Sequence, residues 1–144
     1  MNMNDCLSKG HIKPDPKAAE RIPGSLEVAE RFLRSAQKNL NINEYEMSEL
    51  ASYNTIFHAA RALLFNKGYI ERSHVCVIVA LKELYKQDHE LSELLNIFDK
   101  IRITRHNIQY GGSLVKKTEA VFVIDFAERF HKRAKAMLIT KCGK

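Results

Sequence analysis

Four residues within two helical turns, Arg105, His106, Asn107 and Tyr110, offer a fixed cation, a titratable imidazole, an amide and a phenol. A guanidinium can grip a phosphate through two parallel N–H donors. An imidazole can move a proton near neutral pH. Arg105 and His106 are thus the candidate catalytic pair, and the four residues are a candidate nucleotide- or RNA-binding group. Lys116 and Lys117 follow the Gly111-Gly112 pair and extend it. Arg105 also lies on an apolar stripe between Ile101 and Ile108. An inward Arg either pairs with an acid from a neighbouring helix or lines a cleft. The residues alone allow both, and His106 can equally be a plain exposed residue. Arg102 and His106 are one turn apart, so Arg102 is an alternative partner for that imidazole.

Other candidates are weaker. His58 and Arg61 are neighbours on one helix face, beside the row Tyr53, Phe57, Ala60 and Leu64. His58 reads as a hydrogen-bonded boundary residue. His74 follows a capping Ser73 and falls in a first helical turn. No carboxylate pair stands out as an acid–base couple. The sequence has no GxxxxGK[ST], GxGxxG, HExxH or GxSxG motif. Gly111-Gly112-Ser113 lacks the downstream Asp-x-Asp of a nucleotidyltransferase and reads as a helix stop. Cys6, Cys76 and Cys142 form no CxxC and no zinc spacing, so no metal or cofactor is expected. Reduced thiols are expected, with Cys76 a small core residue.

The elements that must position these residues are helices. The chain has 144 residues, about one domain. Leu26, Ala29, Phe32, Leu33, Ala36 and Leu40 recur at steps of three and four, predicting a helix capped by Ser25. A second helix is predicted from about Glu44 to Asn66. Its apolar surface is wide, which marks a central position, and Gly68 stops it. Ser73 caps a third over His74–Tyr85; its VCVIVA run has strand preference, but KELYK continues in helical style. A fourth runs from His89 to Gln109 and a fifth from Thr118 to Thr140. The predicted fold is all-α, an up-and-down four-helix bundle with an additional short helix. Residues 1–24 hold all three prolines and few large apolar residues, and read as a flexible N-terminal arm before a 25–144 bundle.

The net charge is +6. Residues 1–100 carry 13 basic and 14 acidic side chains, and residues 101–144 carry 10 and 3. The whole excess therefore lies in the last third, where it could steer a nucleic acid or simply solvate a helix face. No run of about eighteen apolar residues and no signal-like apolar segment occurs, so a cytoplasmic protein without a membrane partner is expected.

Four stretches together resemble the HEPN family. They are AERFLRSAQKNL, SYNTIFHAARALLFNKGYIERSH (Ser52–His74), IRITRHNIQYGG (Ile101–Gly112) and TEAVFVIDFAERF. The chain is most similar to the small stand-alone prokaryotic subgroup whose fourth helix ends in Tyr-Gly. The resemblance implies a helical bundle and a homodimer whose fourth-helix ends share a cleft. It also implies a minimal nucleotidyltransferase as partner in a toxin–antitoxin-like pair. Active family ribonucleases carry a His four to six positions after the Arg. After Arg105 this chain has Gln109, Tyr110 and Gly111 there, and Ile108 where toxin-type members show His. The expected function is therefore nucleotide or RNA binding at the dimer cleft. The alternatives are a metal-independent endoribonuclease using Arg102 and His106, or a dimeric scaffold without ligand.

Overall fold

The computed structural model describes residues 1–142, with the side chains of residues 1–138. In chain order the elements are α1 (Met3–Ser8), β1 (Ile12–Pro14), a 3-10 turn (Ala18–Arg21), α2 (Ile22–Asn41), α3 (Tyr45–Asn66), β2 (Tyr69–Glu71), α4 (His74–Leu84), α5 (His89–Gly111) and α6 (Lys117–Cys142). The fold is all-α. Four long helices, α2, α3, α5 and α6, and the shorter α4 match the predicted order, and the short ladder of β1 with β2 is an addition.

Helix α3 is the central element. Fourteen of its 22 residues are buried, and it packs against α2, α4, α5 and α6. Its apolar surface runs nearly all round, so it can only be stable with neighbours on several sides. The α2–α3 contact is close because the facing residues are small. Thr55 Oγ1 donates to the Ala29 carbonyl at 2.9 Å, and Ser48 Oγ to that of Ala36 at 2.8 Å. Ser25 does the same from the other side, donating to the His58 carbonyl at 2.7 Å. Ser25 is therefore a buried interior residue of α2 and not its cap. The helix begins at Ile22 with Pro23 in its first turn, where a missing N–H costs nothing.

Two other ends follow the local chemistry. Ser73 caps α4 by accepting from the Cys76 N–H. Gly112, at φ +70°, closes α5, and its N–H and that of Ser113 both reach the Asn107 carbonyl. Glu46 Oε2 then accepts the Val115 N–H at 2.9 Å, which ties the α5–α6 link to the start of α3.

Residues 1–24 differ from the expected flexible arm. β1 pairs antiparallel with β2, Ile12 opposite Glu71, and Cys6 and Ile12 are buried. Cys6 is bonded to Cys76, 70 residues away, so α1 is stapled to α4. The two thiols expected to be reduced thus form a disulfide. The expectation for Cys142 lies outside the described side chains. Sparse large apolar residues were a poor guide here, because a strand partner and a covalent bond supply what a hydrophobic face would have.

Candidate functional site

Arg105 comes off α5 on the side facing α3. Its guanidinium carbon lies 4.6 Å from the centre of the Tyr53 ring, in cation–π contact. Nη1 donates to Gln109 Oε1 at 3.1 Å, one turn along. Nε is buried and has no hydrogen-bond partner among the described residues. No acid from a neighbouring helix pairs with Arg105 among those residues either. Of the two readings the sequence allows, the ion-paired one is not what the fold builds.

Tyr53 is buried in the middle of α3, and its hydroxyl lies 2.7 Å from His74 Nδ1. His74 is the first residue of α4. Its ring stacks on Phe57, with centroids 3.9 Å apart and planes 13° apart. Three helices thus deliver Tyr53, His74 and Arg105 to one place. Burial pushes the Tyr53 phenol above its ordinary pKa, and the Arg105 charge opposes this. Burial likewise holds His74 below its ordinary value. Arg105 is the next cause, with Glu71 acting in the opposite sense. His74 is therefore a neutral imidazole at pH 7.

The neighbouring cations are spoken for. Arg61 Nε meets Glu71 Oε1 at 2.9 Å. Arg102 Nε meets Asp99 Oδ1 at 3.0 Å, and no contact joins Arg102 to His106 among the described residues. The alternative pair is thus not assembled. His106 instead lies against Tyr110, ring centres 4.9 Å apart, and both are exposed. Asn107 is exposed, and its backbone carbonyl terminates α5. Lys116, on the link that Glu46 anchors, and Lys117, the first residue of α6, are exposed. His58 stacks on Phe32 at 5.7 Å, and burial together with Arg61 lowers its pKa to about 4. It is a half-buried boundary residue that touches Arg61 at 3.3 Å.

Sequence reasoning placed Tyr53 in the core row and His74 in a first turn, and gave neither a role. Both positions were right. The signal for their meeting was slight, since Tyr53 and His74 are 21 residues apart, at the two ends of the Ser52–His74 stretch, and local spacing does not bring them together. One cavity, of about 420 Å³, lies away from this place, beneath α1, lined by Asn2, Met3, Leu7, Tyr69 and Leu84 among others. The Arg105 surface suits an anion on an open face better than an enclosed small molecule. It holds one unpaired cation on an aromatic platform, beside a neutral imidazole whose Nδ1 is already bonded.

A model of the HEPN domain matches residues 23–140, from the first turn of α2 nearly to the end of α6. A UPF0332 protein of Archaeoglobus fulgidus is 30% identical over 112 residues, 74% of this chain and 86% of that protein. Two proteins of Methanocaldococcus jannaschii described as candidate toxins are also similar. One is 25% identical over 118 residues, 81% of this chain and 80% of its own. The other is 28% identical over 120 residues, 83% and 90%. The match takes in every long helix and all the residues around Arg105, and on it the chain belongs to the HEPN domain family.

Proposed function

We propose that the protein is a toxin-like HEPN protein that binds the phosphates of a nucleotide or RNA at the end of α5. Arg105 is the observation that carries this reading. An arginine that is half-buried, oriented by Tyr53 and left without a carboxylate has its charge available for an outside anion. Lys116 and Lys117, just past the glycines, widen the cationic surface. The basic last third of the chain adds long-range attraction.

The binding unit is a homodimer in which the ends of α5 face one another. Ile103 is 50% and Tyr110 66% exposed, and they are two turns apart on one face with His106 between them. Large apolar side chains left on one face favour a protein partner. The functional partner is a minimal nucleotidyltransferase in a toxin–antitoxin-like pair. The resemblance of Ser52–His74 to the family signature and the candidate-toxin descriptions of two relatives support this. No helix among the described residues is long and apolar enough to cross a membrane.

Cleavage is not part of the proposal. Metal-free RNA cleavage needs a base for the 2′-hydroxyl and an acid for the leaving oxygen. His106 turns to Tyr110, and the imidazole near Arg105, that of His74, has its Nδ1 bonded to the Tyr53 hydroxyl, so no second titratable group stands ready for the other role. The test is a titration of labelled RNA into the pure protein in metal-free buffer. Binding without cleavage supports the reading, and absence of binding overturns it.

A further inference from the structure

We propose that His74 is the second phosphate-contacting residue of this site, donating its Nε2–H to an oxygen of the phosphate that Arg105 holds. This rests on the reading of Arg105 given above and adds a ligand contact from α4, a helix outside the Arg105–Tyr110 group.

The ring is fixed in two ways. Stacking on Phe57, 3.9 Å away and nearly parallel, sets its plane. The Tyr53 hydroxyl, 2.7 Å from Nδ1, sets its rotation. The same tyrosine carries Arg105 against its ring at 4.6 Å. One side chain therefore positions both groups, and they are preorganised relative to each other.

The tautomer follows from the charge. A guanidinium close to the phenol favours placing the oxygen lone pairs toward it and the hydroxyl proton away from it. The hydroxyl then donates to Nδ1, and the imidazole proton resides on Nε2. Nε2–H is the ring position left for a ligand, and it is a donor, as an anion requires. A neutral donor also avoids setting a second buried cation beside Arg105.

The local charge count fits one phosphate group. Three arginines act on His74, and two of them are neutralised, Arg61 by Glu71 and Arg102 by Asp99. Of these three, Arg105 alone has no carboxylate partner among the described residues. The ligand class is a phosphate monoester or diester, as carried by a nucleotide or an RNA chain.

The experiment uses the full chain, with inorganic phosphate, adenosine 5′-monophosphate and a short labelled RNA as probes. Nitrogen-detected NMR of the ligand-free protein reads the His74 tautomer. The proposal expects the proton on Nε2 and a shift of that signal when a probe binds; a proton on Nδ1 overturns it. His74→Ala is expected to weaken the best probe by about 10-fold or more, the scale of a hydrogen bond to a charged group. His74→Gln, which can present an N–H near the same point, recovers part of this. Tyr53→Phe keeps the ring under Arg105 but frees the imidazole, and is expected to lose affinity while its thermal melt shows a folded protein. Binding lost in Arg105→Ala but unchanged in His74→Ala would leave the proposed function standing and remove His74 from it. Wild-type protein that binds none of the probes would overturn the proposed function and the His74 contact together. The probe preferred tells a nucleotide from a polymer.

Discussion

The guanidinium of Arg105 lies 4.6 Å from the centre of the Tyr53 ring, and no acidic side chain among the described residues pairs with it. The tyrosine belongs to the central helix and is buried, so it cannot follow a moving arginine. Arg105 is held by a surface that offers attraction without neutralisation. A carboxylate in the same place would have made it a structural ion pair with nothing left to bind. The relationship separates two kinds of inward arginine that look identical in sequence.

Arg105→Lys is therefore expected to behave almost like a deletion. An ammonium cannot lie flat on the ring and donate from a planar fork at once. RNA affinity should fall about 10-fold, close to the loss in Arg105→Ala. A filter-binding titration checks this. Lysine at full wild-type affinity would mean that charge alone matters and that the Tyr53 platform does not.

Stability should depend on pH through Glu49. This side chain is fully buried on α3. Burial first, then Glu119 and Glu46, raise its pKa from 4.5 to about 9. The folded state holds the proton more tightly than the unfolded chain. The stability this gives is full below about pH 4.5 and is lost as pH rises towards about 9. His58, whose pKa is lowered to about 4, acts the other way, gaining stability as pH rises towards 6.5. His74 and His131, also held low by burial, add to that side. Thermal melts should thus change little, or rise, from about pH 4.5 to 6.5 and fall from about 6.5 to 9. Glu49→Gln should remove the fall. A wild-type melting temperature that is level across the alkaline range would contradict the buried, protonated Glu49.

The Cys6–Cys76 bond should stabilise the protein by about 2–4 kcal/mol, because it closes a long loop in the unfolded chain. Cys6→Ser or reduction with dithiothreitol should lower the melting temperature by several degrees and speed proteolysis within the first residues. The bundle should persist, since apart from Cys6 and Ile12 the buried residues of its main core come from α3–α6. Equal melts with and without reductant would show that the bond contributes nothing.

Homodimerisation through the α5 face makes a separate prediction. Ile103→Glu combined with Tyr110→Glu places charge on two residues that are exposed in the single chain, so folding should be unaffected. Light scattering at tens of micromolar should show the mass of wild type halved in the variant. A wild-type protein that is already monomeric at that concentration would refute the dimer.

The helices were legible because their signals are local. The three-and-four spacing, the Ser73 cap and the glycine stops at Gly68 and Gly112 act within a turn or two, and the helices form where they point. Ser25 misled because a serine at a helix start and a serine buried against a facing carbonyl look alike until α3 is in place. The N-terminal segment misled for a related reason. What holds it is a strand pairing with residues 69–71 and a bond to Cys76, both distant in sequence. At the site, Arg105 stood out as a cation on an apolar stripe. Its platform and the imidazole beyond it did not, because Tyr53, His74 and Arg105 come from three helices and meet only through packing. Arg102 and His106 were a reasonable pair by spacing, but Asp99 lies one turn the other way and takes the arginine.

The central claim is that Arg105 is a free anion-binding cation, and the direct measurement is RNA affinity of wild type against Arg105→Ala in metal-free buffer, with both proteins shown to be folded. Wild type should bind and leave the RNA intact, and Arg105→Ala should bind about 10-fold or more weakly. Equal affinity in the two proteins would contradict the account, because the phosphate would then be held somewhere else.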